Sequence, residues 1–166
     1  MFGFIVGLHD QYGINLDADD LEDGMAIDIA ASVMFFPGLE ARLGFANENN
    51  PGNNDDSHQI NGWIAWNPND LTLALEFDYV DIDSTSDLWD LMLLANYQFS
   101  DFFSATLRYA HLNLDVLGVD TDADRITLAL LFSLTENLAL NLEYSHTSND
   151  GAHDDNEFYL QALLNF

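Results

Sequence analysis

Glu157-Phe158-Tyr159-Leu160-Gln161-Ala162-Leu163-Leu164-Asn165-Phe166 is the stretch whose reading decides the fold. Side chains on a β-strand alternate between two faces. Phe158, Leu160, Ala162, Leu164 and Phe166 therefore share one face, and Glu157, Tyr159, Gln161 and Asn165 share the other. An amphipathic strand of this length needs a partner for its apolar face, so the question becomes what the remaining segments offer.

Working outward, the same alternation recurs along the whole chain. It predicts ten strands at 2–12, 25–36, 39–47, 58–66, 71–82, 88–99, 103–114, 125–134, 138–147 and 157–166. Two kinds of connection separate them. Short corners are built from turn-forming residues, Phe36-Pro37-Gly38, Asn67-Pro68-Asn69-Asp70, Ser100-Asp101-Phe102 and Thr135-Glu136-Asn137. Longer acidic loops are expected at 13–24, 48–57, 83–87, 115–124 and 148–156. The hairpin is also the repeating unit, because Leu-Thr-Leu-Ala-Leu-Glu-Phe (71–77), Phe-Ser-Ala-Thr-Leu-Arg-Tyr (103–109) and Leu-Ala-Leu-Asn-Leu-Glu-Tyr (138–144) share one pattern.

Folding the chain about each short corner tests the assignment. It pairs Phe35 with Leu39, Trp66 with Leu71, Phe99 with Phe103 and Leu134 with Leu138. Further out it sets Ala31 against Leu43, Ile64 against Leu73, Leu93 against Tyr109 and Leu130 against Leu142. A slip of one residue would set Leu against Glu or Arg, so parity is strongly specified.

Composition narrows the class. The 166 residues amount to one domain, 1–166, and the chain has no cysteine for disulfides or thiolate metal sites. With 29 acidic against 3 basic residues the formal charge is −26, which excludes nucleic-acid binding by phosphate neutralisation. Charge of that size suggests disorder only when hydrophobicity is low, and here 48% of residues are apolar. No apolar run approaches a membrane-spanning helix. No secretory signal peptide precedes Phe2, so export would make Met1 part of a mature or recombinant chain.

The two faces differ in a telling way. Ten strands with about five large apolar residues each supply roughly fifty side chains, more than a closed barrel of that size holds inside. The polar face instead carries small residues such as Gly7, Ala30, Ser32, Gly44, Ala129 and Ser145, which suit a crowded lumen. Arg42, Arg108 and Arg125 fall on that face with Asp28, Glu40, Glu76, Asp78, Asp90, Glu143 and Glu157. By the repeat, Arg108 lies level with both Glu76 and Glu143, two strands away on either side. The apolar face has aromatics at both strand ends, with Phe4, Phe35, Trp66 and Phe99 towards the short corners and Tyr79, Trp89, Tyr109 and Tyr144 towards the acidic loops. Two aromatic belts around an aliphatic band fit a membrane-spanning barrel, whose closure satisfies every backbone group in lipid.

On these residues the whole chain resembles a bacterial outer-membrane β-barrel, porin-like in its hairpin repeats. The fold class is thus all-β, a closed antiparallel up-and-down transmembrane β-barrel of about ten strands. The resemblance implies an outer-membrane location and short corners on the periplasmic side. Its partners would be the lipid bilayer and the insertion machinery, for which Phe166 would be the membrane-insertion signal. An outward surface of Leu and Phe leaves a homo-oligomer open. Ten strands are fewer than a wide aqueous channel uses, which argues against general diffusion.

The chemistry follows from the inner face. Arg42, Arg108, Arg125, Glu40, Glu76, Asp78, Asp90 and Glu143 are expected to line the pore. Excess carboxylate concentrates cations and repels anions, so the expected function is a small channel with cation preference. The alternative is a closed structural or interaction barrel whose salt-bridged lumen is plugged and whose acidic loops bind cations or a partner. No cofactor is expected. Asp120, Asp122 and Asp124 are weak candidates for a divalent cation, as is the run Asp17-Ala18-Asp19-Asp20-Leu21-Glu22-Asp23; the first set lacks the glycine and terminal glutamate of an EF-hand loop.

Ten-stranded outer-membrane barrels include proteases that use Asp and His near the outer rim. His58, His111, His146 and His153 lie towards that end, but His111 and His146 occupy lipid-facing positions. The absence of an activated nucleophile, phosphate loop or metal-spaced His cluster gives the expectation that the chain is not an enzyme.

Overall fold

In the computed structural model, residues 1–10, 25–49, 57–83, 86–150 and 153–164 are described. They form ten strands: β1 (Phe2–Asp10), β2 (Met25–Phe36), β3 (Leu39–Asn49), β4 (Ser57–Trp66), β5 (Leu71–Asp83), β6 (Ser86–Ser100), β7 (Phe103–Val116), β8 (Val119–Ser133), β9 (Leu138–Asn149) and β10 (Asp155–Leu164). All belong to one sheet in sequence order, with every consecutive pair antiparallel. The fold is therefore all-β and up-and-down, the architecture of an outer-membrane barrel. Among the described residues the ladders run from β1 through to β10, and none joins these two outer strands.

Burial inverts the usual soluble pattern. Ala26, Ala30, Thr127, Ala129 and Ser145 are buried, whereas Phe4, Leu43, Leu107 and Leu160 are more than half exposed. Small and hydroxylated side chains occupy the inside of the curved sheet, and the large aliphatics cover its outside. That arrangement suits lipid, which solvates Leu as well as a protein core does. No helix of the described residues is long and apolar enough to cross a membrane.

The short corners behave as their sequences require. Gly38 has φ +90°, and a Cβ there would sit 2.8 Å from the Asn67 carbonyl oxygen. That oxygen belongs to the neighbouring corner, whose Asn67 N–H donates to the Gly38 carbonyl at 2.6 Å. Aromatics gather at the same rim: Phe99 stacks on Phe103 at 5.2 Å and Phe103 on Phe132 at 5.0 Å between centroids. At the opposite end Phe77, Trp89 and His111 form a second group.

Parity holds throughout the described strands, with three departures in detail. Ile64 pairs with Leu75 and Trp66 with Leu73, so the β4–β5 hairpin is shifted by two residues from the expected register. A two-residue shift keeps every side chain on its face, which is why parity alone does not detect it. Leu39 pairs with Phe36 and Phe103 with Ser100, not with Phe35 and Phe99, because a one-residue irregularity interrupts each ladder beside its corner. The third departure is larger. Of the acidic loop expected at 115–124, only Leu117 and Gly118 lie outside strands, both at positive φ, with Asp115 Oδ1 accepting from the Gly118 N–H at 2.7 Å. Positive φ at both central positions is the type I′ geometry that matches the twist of paired strands.

Candidate functional site: the inner face of the sheet

Register places the expected lumen residues in rows across the strands. One row runs Arg42, Trp63, Glu76, Met92, Ala110 and Arg125 from β3 to β8. The row towards the acidic ends runs Gly44, Asn61, Asp78 and Asp90. The row towards the short corners runs Glu40, Ala65, Ala74, Leu94, Arg108, Thr127 and Ser145. Arg42, Arg108, Arg125, Glu40, Glu76, Asp78, Asp90 and Glu143 thus share one face, and Phe166 lies outside the described residues.

These residues divide into two walls. On β7–β10, Arg108 Nη2 lies 3.6 Å from Glu143 Oε1, and Arg125 Nη2 lies 2.6 Å from Glu157 Oε2. Each pair reaches over one intervening strand. Arg108 crosses β8 beside Thr127 and Ala129, with which it lines a cleft of about 190 Å³ that also includes Glu143. The other direction, towards Glu76 on β5, crosses Leu94 and Met92 of β6. Small residues on the intervening strand therefore select Glu143 over Glu76. Tyr159 donates its hydroxyl proton to Glu157 at 3.0 Å, and Thr127 and Ser145 share a buried hydroxyl–hydroxyl bond of 2.9 Å beneath.

On β4–β6 the carboxylates have no such cations. Asn61 Nδ2 donates to Glu76 Oε1 at 3.1 Å and to Asp78 Oδ1 at 2.6 Å. Asp78 and Asp90 are direct cross-strand partners. Among the described residues no arginine is in ion-pair distance of Glu76, Asp78 or Asp90. Like charges placed directly opposite on one sheet face are destabilising, so this wall carries an electrostatic cost that the other avoids. The exposed Arg42 lies on β3 at its edge, across from Trp63.

Sequence reasoning placed Tyr159 on this face beside Glu157 but overlooked Asn61 and Trp63. The signal was present, because Ile60, Ile64 and Trp66 read as outward and place Asn61 and Trp63 inward by alternation.

His58, His111 and His146 fall on the outer face near the rim, together with Asp81, Asp115, Asp120, Asp122 and Asp124. His111 Nδ1 is 3.0 Å from Asp124 Oδ1, which also accepts from the Tyr109 hydroxyl at 2.5 Å. The next hairpin repeats this arrangement with Asn156, which accepts from Tyr144 at 2.7 Å and lies 3.0 Å from His146 Nδ1. His58 Nε2 lies 3.3 Å from Asp81. Asp122 accepts from Asn113 at 2.8 Å, and Asp120 faces Asp115 across β7 and β8. Asp120, Asp122 and Asp124 thus follow one another along β8, two of them bound to separate partners. Among the described residues no group of three or more His, Asp or Glu is placed to hold a metal ion. The 17–23 run lies outside the described residues.

No protein-family model and no curated protein matches the chain. Solved structures do. The chain is similar to the outer-membrane expressed OmpT of Vibrio cholerae, with TM-score 0.70 and 12% identity over 85% of this chain and 56% of that one. It is also similar to a loop L8 deletion mutant of OmpT, an outer membrane protein of Vibrio cholerae, with TM-score 0.72 and 12% identity over 97% and 58%. The chain therefore spans a little over half the length of the OmpT chains it matches. At this identity the likeness shows the fold alone, that of an outer-membrane β-barrel.

The expectation that the chain is not an enzyme is corrected by that likeness. It rested on absent sequence motifs, and the fold shared with outer-membrane proteins named OmpT gives no ground for excluding an activity. Fold does not decide activity in either direction, so missing motifs alone do not establish that the chain lacks one.

Proposed function

We propose that the chain acts as a small outer-membrane channel that passes small solutes or ions with a preference for cations. The observation that carries this reading is the difference between the two walls. Arg108 and Arg125 are each engaged by a glutamate on their own wall, which leaves Glu76, Asp78 and Asp90 to set the field of the other. Mobile cations between Asp78 and Asp90 would offset the cost of their juxtaposition and raise the local cation concentration. Ion selectivity from rings or rows of carboxylates follows the same physics in other channels.

The plugged-barrel alternative has less support. Both arginine pairs join strands two apart and lie along the wall, so they do not reach across the interior. The test is single-channel recording of the refolded protein in a planar bilayer under a KCl gradient. Stable conductance steps with a reversal potential displaced towards that of potassium are expected. An inserted barrel that stays silent would return the reading to the plugged alternative.

A further inference from the structure

We infer that the outer face carries a seat for one acyl chain of a bilayer phospholipid, in a groove that crosses β3 to β7. The groove has a volume of about 560 Å³ and an almost wholly apolar lining. Leu39 and Trp66 stand at its short-corner end, Tyr109 closes the other, and Leu73, Ala95 and Leu107 form its floor and sides. Its origin is legible in the register. Trp66, Leu73, Ala95 and Leu107 are successive cross-strand neighbours, and Ala95 is the one small residue between two leucines.

The occupant follows from where the groove lies. Its lining residues Leu75 and Leu93 continue into the exposed aliphatic surface at Leu43 and Leu128, the surface an outer-membrane barrel presents to lipid. Strands in such barrels tilt by roughly 35–45°, so a groove running across them descends obliquely through the hydrocarbon instead of lying in its plane. A flexible hydrocarbon tail can follow that path, and the apolar lining offers nothing to a polar headgroup. Trp66, an amphipathic ring at the short-corner rim, marks the end at which a headgroup would remain in the interface. The seat is separate from the inner face and does not depend on conduction, although it does rest on membrane insertion.

The test is native mass spectrometry of the refolded protein released from detergent micelles doped with dipalmitoyl phosphatidylethanolamine. One retained lipid per chain is expected. Ala95→Phe fills the floor and should lower occupancy about tenfold, which corresponds to about 1.4 kcal/mol. Val6→Phe, on the outer face of β1 and away from the groove, should leave occupancy unchanged. Heat-modifiable gel mobility confirms that each variant is folded, and Leu107→Phe serves as a second filling variant should Ala95→Phe not fold. Absence of retained lipid in the wild type, equal loss in Val6→Phe, or a dimer mass in place of the lipid adduct would overturn the assignment.

Discussion

The walls built by β4–β6 and by β7–β10 use the same repeat and face the same interior, yet they treat charge in opposite ways. In the second wall, Thr127, Ala129 and Ser145 keep the intervening strands low, so Arg108 and Arg125 can lie across them to Glu143 and Glu157. In the first, the neutral Asn61 amide donates to both Glu76 and Asp78, and Asp90 faces Asp78 without an arginine. The lesson is that the small residues of a barrel interior do more than save space. They determine which charges can meet, and so which remain available to a passing ion.

The most forceful way to break the comparison is to give the first wall a cation. Asp78→Arg should invert the selectivity, with the reversal potential under a KCl gradient changing sign. Next in size, Arg108→Ala releases Glu143 and clears the cleft beside Thr127. Conductance should rise by about twofold and cation preference should increase, as expected for a freed carboxylate in a low-dielectric passage. Unchanged conductance and reversal potential would remove Arg108 from the pathway. Arg125→Ala should act in the same direction. Its pair is 35% and 38% exposed on the two sides, so the accompanying stability loss should stay within about 1 kcal/mol in urea unfolding from detergent.

The smallest effect sharpens the structural side. Thr127→Val leaves the fully buried Ser145 hydroxyl without its partner and should cost about 1–3 kcal/mol of stability, with selectivity unchanged. The double variant Thr127→Val with Ser145→Ala removes both polar groups and should recover much of that loss. Additive losses would mean that the hydroxyl pair is not the reason these sites are polar.

Much of this was legible in the sequence because a period of two assigns faces independently of register. Phe158, Leu160 and Leu164 read as outward, and they are exposed; Ala30, Ala129 and Ser145 read as inward, and they are buried. What alternation cannot see is displacement by an even number of residues, as between Ile64 and Leu75. Nor does it see strands whose outward residues are polar. Asn113, Asp115, Asp120, Asp122 and Asp124 lack the apolar partner that the pattern relies on, so a paired stretch of β7 and β8 resembled a loop. Gly118 was the available signal, because a glycine flanked by residues of strand-like spacing marks a tight hairpin. Arg108 had two glutamates within reach by repeat alone, and only the bulk of Leu94 and Met92 against Thr127 and Ala129 decided between them.

The central claim is that the unneutralised wall sets the charge preference of the channel. Its most direct test is the reversal potential of Glu76→Gln, Asp78→Asn and Asp90→Asn combined, measured beside the wild type in one planar bilayer under the same KCl gradient at low ionic strength, where screening is weakest. The account predicts a conducting variant whose potential falls close to zero while the wild type stays displaced towards potassium. A variant that conducts and keeps the wild-type potential would contradict it.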